Sequence, residues 1–163
     1  MPKKQHTPGK FDMSVRRSTA GLGLFANQDI PRGSCVIEYT GKPLTLEQVD
    51  KSRSRYLFEI DDERTIDGAP RWNRARYINH SCRPNCSIEI DERRGRVFIL
   101  AKRAIKAGEE LAYNYGKEYF EAYINGGCRC VKCKPNLAAH GIKSDIVRPK
   151  VTAQAAKKKK KRG

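Results

Sequence analysis

Eleven consecutive residues, Arg76-Tyr-Ile-Asn-His-Ser-Cys-Arg-Pro-Asn-Cys86, hold two amides, an imidazole, two thiols and a proline between segments that read as strands. A surface turn has little use for that mixture. Tyr77 and Ile78 are apolar enough to anchor its start. Pro84 removes a backbone donor and stiffens its exit. Asn79 and His80 are then expected in a fixed, non-helical backbone, where side chains and main chain can both face a ligand. An Asn-His pair alone is also compatible with an ordinary hydrogen-bonded corner, so the rest of the chain has to decide.

The flanking segments read as short strands. Ser14 to Ala26 predicts a hairpin turning at Gly21 and Gly23, where glycine permits positive φ or a close ligand approach. A dinucleotide fingerprint would need a following helix, and none is predicted. Cys35–Thr40, Tyr56–Asp61, Thr65–Asp67, a hairpin of Ser87–Asp91 with Arg96–Ala101, and the segment Lys106–Tyr115 carry β-branched and aromatic residues between turn signals. Few short helices are expected, two at most, and the best candidate is Leu44–Arg55, with Thr45 as N-cap and Glu47 and Gln48 in its first turn. Many short strands without βαβ units predict a mainly β domain and exclude a doubly wound nucleotide fold.

The chain of 163 residues suits one domain with tails. The expected division is a flexible basic arm over 1–12, a core over 13–116, a cysteine segment over 117–137 and a basic, disordered tail over 138–163. Net charge is +16, of which Lys157–Arg162 supplies six, so the remainder still carries +10. Such a field favours acidic surfaces, nucleic acid or nucleoprotein, and also simple solubility. The lysine run fits an import patch, a nucleic-acid contact arm or a solvated tail. No apolar run is long enough to span a bilayer, and Met-Pro-Lys-Lys-Gln-His lacks a secretory core, so no membrane association and an intracellular location are expected. Six cysteines in that setting point to metal or burial rather than disulfides.

Four features stand in order: Ala20-Gly-Leu-Gly-Leu-Phe25, Arg76-Tyr-Ile-Asn-His-Ser-Cys-Arg-Pro-Asn85, Gly108-Glu-Glu-Leu-Ala-Tyr-Asn-Tyr115 and Cys128-Arg-Cys-Val-Lys-Cys133. Together they resemble the SET-domain protein lysine methyltransferases with their post-SET cysteine segment, over residues 14 to 137. The resemblance implies a β-clip fold of short sheets, in which the segment ending at Tyr115 threads the one bearing Asn79-His80 as a pseudoknot. It implies S-adenosyl-L-methionine held by Ala20, Gly21, Leu22, Gly23, Tyr56, Asn79 and His80. A lysine would enter from the opposite face, through a channel of Tyr39, Phe58, Tyr113 and Tyr115. Tyr115, Tyr39 and Tyr113 are the implied catalytic residues. Tyr113 stands where relatives control product number, which implies mainly monomethylation. Asn114 departs from the family's usual Asp and leaves a local hydrogen bond open.

By the same resemblance, Cys82, Cys128, Cys130 and Cys133 would bind Zn2+, although C-x-C-x2-C is tighter than the family's usual spacing, and a reduced thiol cluster is the alternative. Cys35 reads as strand core, and Cys86 as core or an alternate ligand. His6 and His140 are expected in solvent. Trp72 is expected either to pack under its loop or to meet substrate. The implied partner is a histone or histone-like basic tail, met by the acidic cluster Glu59, Asp61, Asp62 and Glu63. The implied location is nucleus or chromatin in a eukaryote, cytoplasm or nucleoid in a bacterium. Two rivals keep the same residues without turnover: a basic chromatin or nucleic-acid binding module on this fold, and a small zinc-bearing DNA-binding protein.

Overall fold

The computed structural model describes residues 4–117, 128–130 and 133. The lysine run, His140 and most of the cysteine segment lie outside the described residues. In chain order the elements are β1 Met13–Ser18, β2 Gly21–Ala26, β3 Cys35–Tyr39, β4 Lys42–Leu44, α1 Leu46–Lys51, β5 Leu57–Glu59, β6 Thr65–Asp67, a 3-10 turn Arg74–Tyr77, β7 Asn79–His80, β8 Cys86–Asp91, β9 Arg96–Ala101 and β10 Ala112–Tyr113.

The strands form four small sheets, as a mainly β reading requires. β1 and β2 pair antiparallel from Met13↔Ala26 to Ser18↔Gly21, and Gly21 turns the chain at φ 100. β9 lies between β3 and β8, and β6 between β4 and β5. The predicted hairpin of β8 and β9 is present in register, with Asp91↔Arg96 closing it. β4 was not predicted. Pro43 argues against a strand because it cannot donate, yet among the described residues β4 pairs only with β6 and so occupies a sheet edge, where proline is tolerated.

β9 explains the largest departure from expectation. Val97, Ile99 and Ala101 point into the main core with Leu24, Ile30, Val36 and Ile105, while Phe98 and Leu100 form a second buried cluster with Cys35 on the other face. A strand apolar on both faces needs cover on both. The amino-terminal segment supplies some of it, so its described part is not a loose arm. Gly9 N donates to Cys35 O at 2.8 Å, and the His6 ring lies 5.5 Å from Phe98. His6 Nε2 also meets Glu89 Oε2 at 2.5 Å, which corrects its expected solvation. Each large side chain buried in this way contributes about 1.5–3 kcal/mol.

Helix α1 begins where expected. Thr45 Oγ1 accepts from Gln48 N at 3.3 Å, and Gln48 Oε1 accepts from Thr45 N at 2.9 Å, a reciprocal cap. It stops at Lys51 rather than Arg55 and buries no residue. The serines that follow draw the backbone away from the helix: Ser54 N donates to Ser52 Oγ and Tyr56 N to Ser54 Oγ.

Candidate functional site

The Arg76–Cys86 stretch and the closing segment meet along their length. Residues 108–111 first run against β2, with Gly108 N donating to Ala26 O at 2.7 Å, Ala26 N to Glu109 O at 2.9 Å and Leu111 N to Leu24 O at 2.8 Å. β10 then pairs parallel to β7, placing Ala112 opposite Asn79 and Tyr113 opposite His80. Ser81 N donates to Tyr113 O at 3.1 Å. The two segments that the expected crossing involves are therefore side by side.

Two buried amides hold this junction. Asn79 Nδ2 donates to Leu22 O at 2.9 Å and to Glu110 Oε1 at 2.8 Å, tying β7 to the β1–β2 hairpin. Asn85 Oδ1 accepts from Ala112 N at 2.9 Å, and its Nδ2 donates to Glu110 O at 2.8 Å. Sequence reasoning noted Asn85 only as part of the stretch and gave Glu110 no role. Their importance lies in contacts 25 to 31 residues apart, which local pattern does not reveal. Gly23 also has a reason beyond turning: a Cβ there would collide with the Glu110 carboxylate.

Tyr115 is buried at 8% exposure, donates its hydroxyl to Ile78 O at 2.6 Å, and takes its backbone partner from His80 Nδ1 at 3.0 Å. Its ring lies 5.4 Å from His80 and 4.7 Å from Tyr113. Because His80 Nδ1 accepts, the neutral imidazole carries its proton on Nε2. Burial keeps it neutral, lowering its pKa to about 4. Tyr39 and Phe58 form a second aromatic pair, 5.3 Å apart and both buried. The Tyr39 hydroxyl donates to Tyr56 O at 2.9 Å, and Gly68 packs so closely on that ring that a Cβ would overlap it. The Tyr56 ring faces the Arg76 guanidinium at 4.1 Å. Asn114 retains a local bond despite replacing Asp, since its Oδ1 accepts from Gly116 N at 2.8 Å.

A cleft of about 460 Å³ opens beside His80, lined by Ser18, Thr19, Ala20, Asn79, Glu110 and Cys130 among others. Of the expected donor residues it contains Ala20, Asn79 and His80. Gly21, Leu22, Gly23 and Tyr56 do not line it. Leu22 instead reaches the site through its carbonyl to Asn79, and the residue is 47% exposed.

The sulfurs of Cys82, Cys128, Cys130 and Cys133 lie within 4.8 Å of one another, a group able to hold a metal ion. Cys82 Sγ is 3.5 Å from Cys128 Sγ and 3.9 Å from Cys133 Sγ. Burial pushes the Cys128 and Cys133 thiols up. At Cys130 burial acts in the same direction, but hydrogen bonds from Cys82, Cys128 and Cys133 outweigh it and bring the thiol down to about 6. Thr19 Oγ1 donates to Arg129 O at 2.9 Å, so the hairpin turn grips the backbone between two of these cysteines. Cys86 stands apart in the core, its thiol pushed up to about 12 by burial, and is not an alternate member of the group. Cys35 is core, as expected.

Away from the cleft, Trp72 is 62% exposed and packs under no loop among the described residues. The acidic cluster is only partly available. Asp61 closes its own turn, accepting from Glu63 N and Arg64 N, and pairs with the Arg64 guanidinium, which holds its carboxyl below the usual range. No helix among the described residues is long and apolar enough to cross a membrane.

Comparison with known proteins agrees with this geometry. A family model for the SET domain matches residues 21–116. The chain is 43% identical over 126 residues to "Histone-lysine N-methyltransferase trr" of Drosophila melanogaster, covering 71% of this chain and 5% of that protein. It is 33% identical over 139 residues to "Histone-lysine N-methyltransferase 2D" of Homo sapiens, covering 78% and 2%. It thus spans a small fraction of these relatives. Among solved structures it resembles "crystal structure of KRYPTONITE in complex with mCHG DNA and SAH" with TM-score 0.59 and 37% identity, covering 66% of this chain and 24% of that one. It also resembles "ctPRC2 in an autoinhibited conformation bound to S-adenosylmethionine" with TM-score 0.58 and 32% identity, covering 66% and 15%. With a match over residues 21–116 and relatives above 30% identity, this chain belongs to the SET-domain family.

Proposed function

We propose that the protein is an S-adenosylmethionine-dependent protein lysine N-methyltransferase acting on a histone or histone-like basic tail, mainly as a monomethylating enzyme. The observation that carries this reading is the packing of Tyr115 against Ile78 and His80 beside a cleft that contains Ala20 and Asn79. Supporting it, relatives are named histone-lysine methyltransferases, and two structural neighbours hold S-adenosylmethionine or SAH. The cleft volume of about 460 Å³ is in the range of small-molecule sites.

When bound, S-adenosylmethionine supplies a methyl group already activated on a sulfonium. The chain's task is then alignment and exclusion of water. Ala20, Asn79 and His80 line the binding cleft, with Asn79 immobilised by Leu22 and Glu110. Tyr115 and Tyr39 both donate their hydroxyl protons to backbone carbonyls, which turns acceptor lone pairs toward other neighbours. In a channel between them, those oxygens would orient a lysine amine. Aromatic burial also favours the neutral amine, whose free pKa near 10.4 leaves roughly one molecule in a thousand unprotonated at pH 7. Tyr113, buried beside Tyr115, narrows the same space and accounts for the single methylation proposed.

The four-thiol group suits Zn2+. Tetrahedral coordination at about 2.3 Å places sulfurs about 3.8 Å apart, close to the 3.5 and 3.9 Å of the Cys82 pairs. Cys82, Cys128, Cys130 and Cys133 would hold it as a structural pin, with Cys130 also forming cleft wall. Work at chromatin follows from such a substrate, with the exposed Asp62 and Glu63 among the groups that would meet a basic tail.

Radiolabelled methyl transfer to mixed histones tests the activity. Incorporation by the unaltered protein and its loss in Tyr115→Phe are expected, whereas silence of both favours the non-catalytic binding module. Mass spectrometry of the product tests methyl number. Dimethyl or trimethyl lysine should rise in Tyr113→Phe, and trimethylation by the unaltered chain would defeat the monomethyl reading.

A further inference from the structure

Two carboxylates line the cleft, and their surroundings differ. Glu109 is neutralised: Arg103 donates to it at 2.7 and 3.1 Å, and Lys106 N donates at 2.6 Å. Among the described residues Glu110 is held only by neutral donors, Ser18 Oγ at 2.8 Å and Asn79 Nδ2 at 2.8 Å, with the backbone of Gly23 packed against it. Among the described residues it forms no ion pair. Its negative charge is thus fixed in position, half-buried, and not cancelled by a contacting cation. The other charged groups on the lining, Arg83, Arg103 and Arg129, are cationic.

We propose that Glu110 is a specificity-determining residue that biases the cleft toward a cationic sulfonium donor over its neutral-sulfur product. The inference rests on the donor-binding reading above. S-adenosylmethionine and S-adenosylhomocysteine share every group except one methyl and the positive charge on sulfur. Contacts to adenine, ribose and the amino-acid end therefore favour both alike. A fixed carboxylate on the cleft wall distinguishes them by that one charge, and the cleft arginines act in the opposite sense. Selectivity of this sign lets the spent product leave in favour of fresh donor. The sequence Gly-Glu-Glu-Leu hides the difference between the two acids, because only the fold gives Glu109 an arginine and Glu110 two neutral donors.

The test is calorimetric titration of the full chain with S-adenosylmethionine and, separately, with S-adenosylhomocysteine. In Glu110→Gln, affinity for S-adenosylmethionine should fall about tenfold more than affinity for S-adenosylhomocysteine, the effect of one charge several ångströms away in a partly solvated cleft. Ser18→Ala, which removes one bond to Glu110 but leaves its charge, should change both affinities by the same factor. If Glu110→Gln proves unstable, the native chain still decides: it should bind S-adenosylmethionine more tightly than S-adenosylhomocysteine despite the cleft arginines. Equal losses for both ligands in Glu110→Gln, or native affinity for S-adenosylhomocysteine equal to or above that for S-adenosylmethionine, would overturn the inference. Failure of the unaltered chain to bind either ligand would instead overturn the donor-binding reading itself.

Discussion

Replacing Asn85 by Ala tests whether the junction of the Arg76–Cys86 stretch with residues 108–113 stabilises the domain. Asn85 is only 4% exposed and serves two backbone groups of the closing segment, the Glu110 carbonyl and the Ala112 amide. Alanine leaves both without that partner at a site where water has little access. An unsatisfied buried group costs about 1–3 kcal/mol, so the two together cost about 2–6 kcal/mol. That is a large part of a typical domain stability of about 5–15 kcal/mol. At about 4 °C per kcal/mol, the melting temperature should fall by about 8 °C or more. Urea denaturation followed by tryptophan fluorescence and far-ultraviolet dichroism measures it, with coincident transitions and an unchanged slope required. Asn27→Ala is the internal comparison. Asn27 also makes three side-chain hydrogen bonds, to Asp12, Ser14 and Arg16, but is exposed, so its loss should cost under about 1 kcal/mol. Equal losses at the two positions would refute the argument that burial of the junction gives Asn85 its weight.

Further outcomes follow from the same geometry. Gly68→Ala keeps an allowed backbone but drives a methyl into the Tyr39 ring, so turnover should fall by roughly a hundredfold while donor affinity, measured calorimetrically, holds. Elemental analysis should find one zinc per chain, lost in Cys82→Ser and retained in Cys86→Ser, because only the former belongs to the thiol group. Glu109 is held below its ordinary value of 4.5, chiefly by its hydrogen bond to Arg103. A depressed folded-state pKa adds stability that is complete above the unfolded value and disappears as pH falls through the folded one. Urea midpoints should therefore be level above about pH 5 and decline in acid, with a shallower decline in Glu109→Gln.

The parts legible in the sequence were those set by local pattern. β-Branched and aromatic runs located the strands of the hairpins, and Thr45 with Gln48 marked the start of α1. The closing tyrosines were recognised as a motif, and their partners fit it, since Tyr115 reaches Ile78 and His80 from 35 to 37 residues away. What stayed hidden depended on which distant groups became neighbours. His6 looked solvated because Glu89 and Phe98, its actual companions, are far along the chain. β4 was obscured by Pro43, acceptable only because that strand lies at an edge. Asn85 and Glu110 each sit in turn-like sequence, and neither advertises a partner until β10 comes alongside β7.

The attachment of Gly9 to Cys35 has a practical bearing on how the protein is handled. β3 is the outer member of its sheet, and such a strand offers open backbone groups to any passing chain. Trimming to Phe11 would bare that rim together with the Phe98 and Leu100 cluster beneath. Shortened versions should then self-associate in light scattering while the longer chain stays monodisperse.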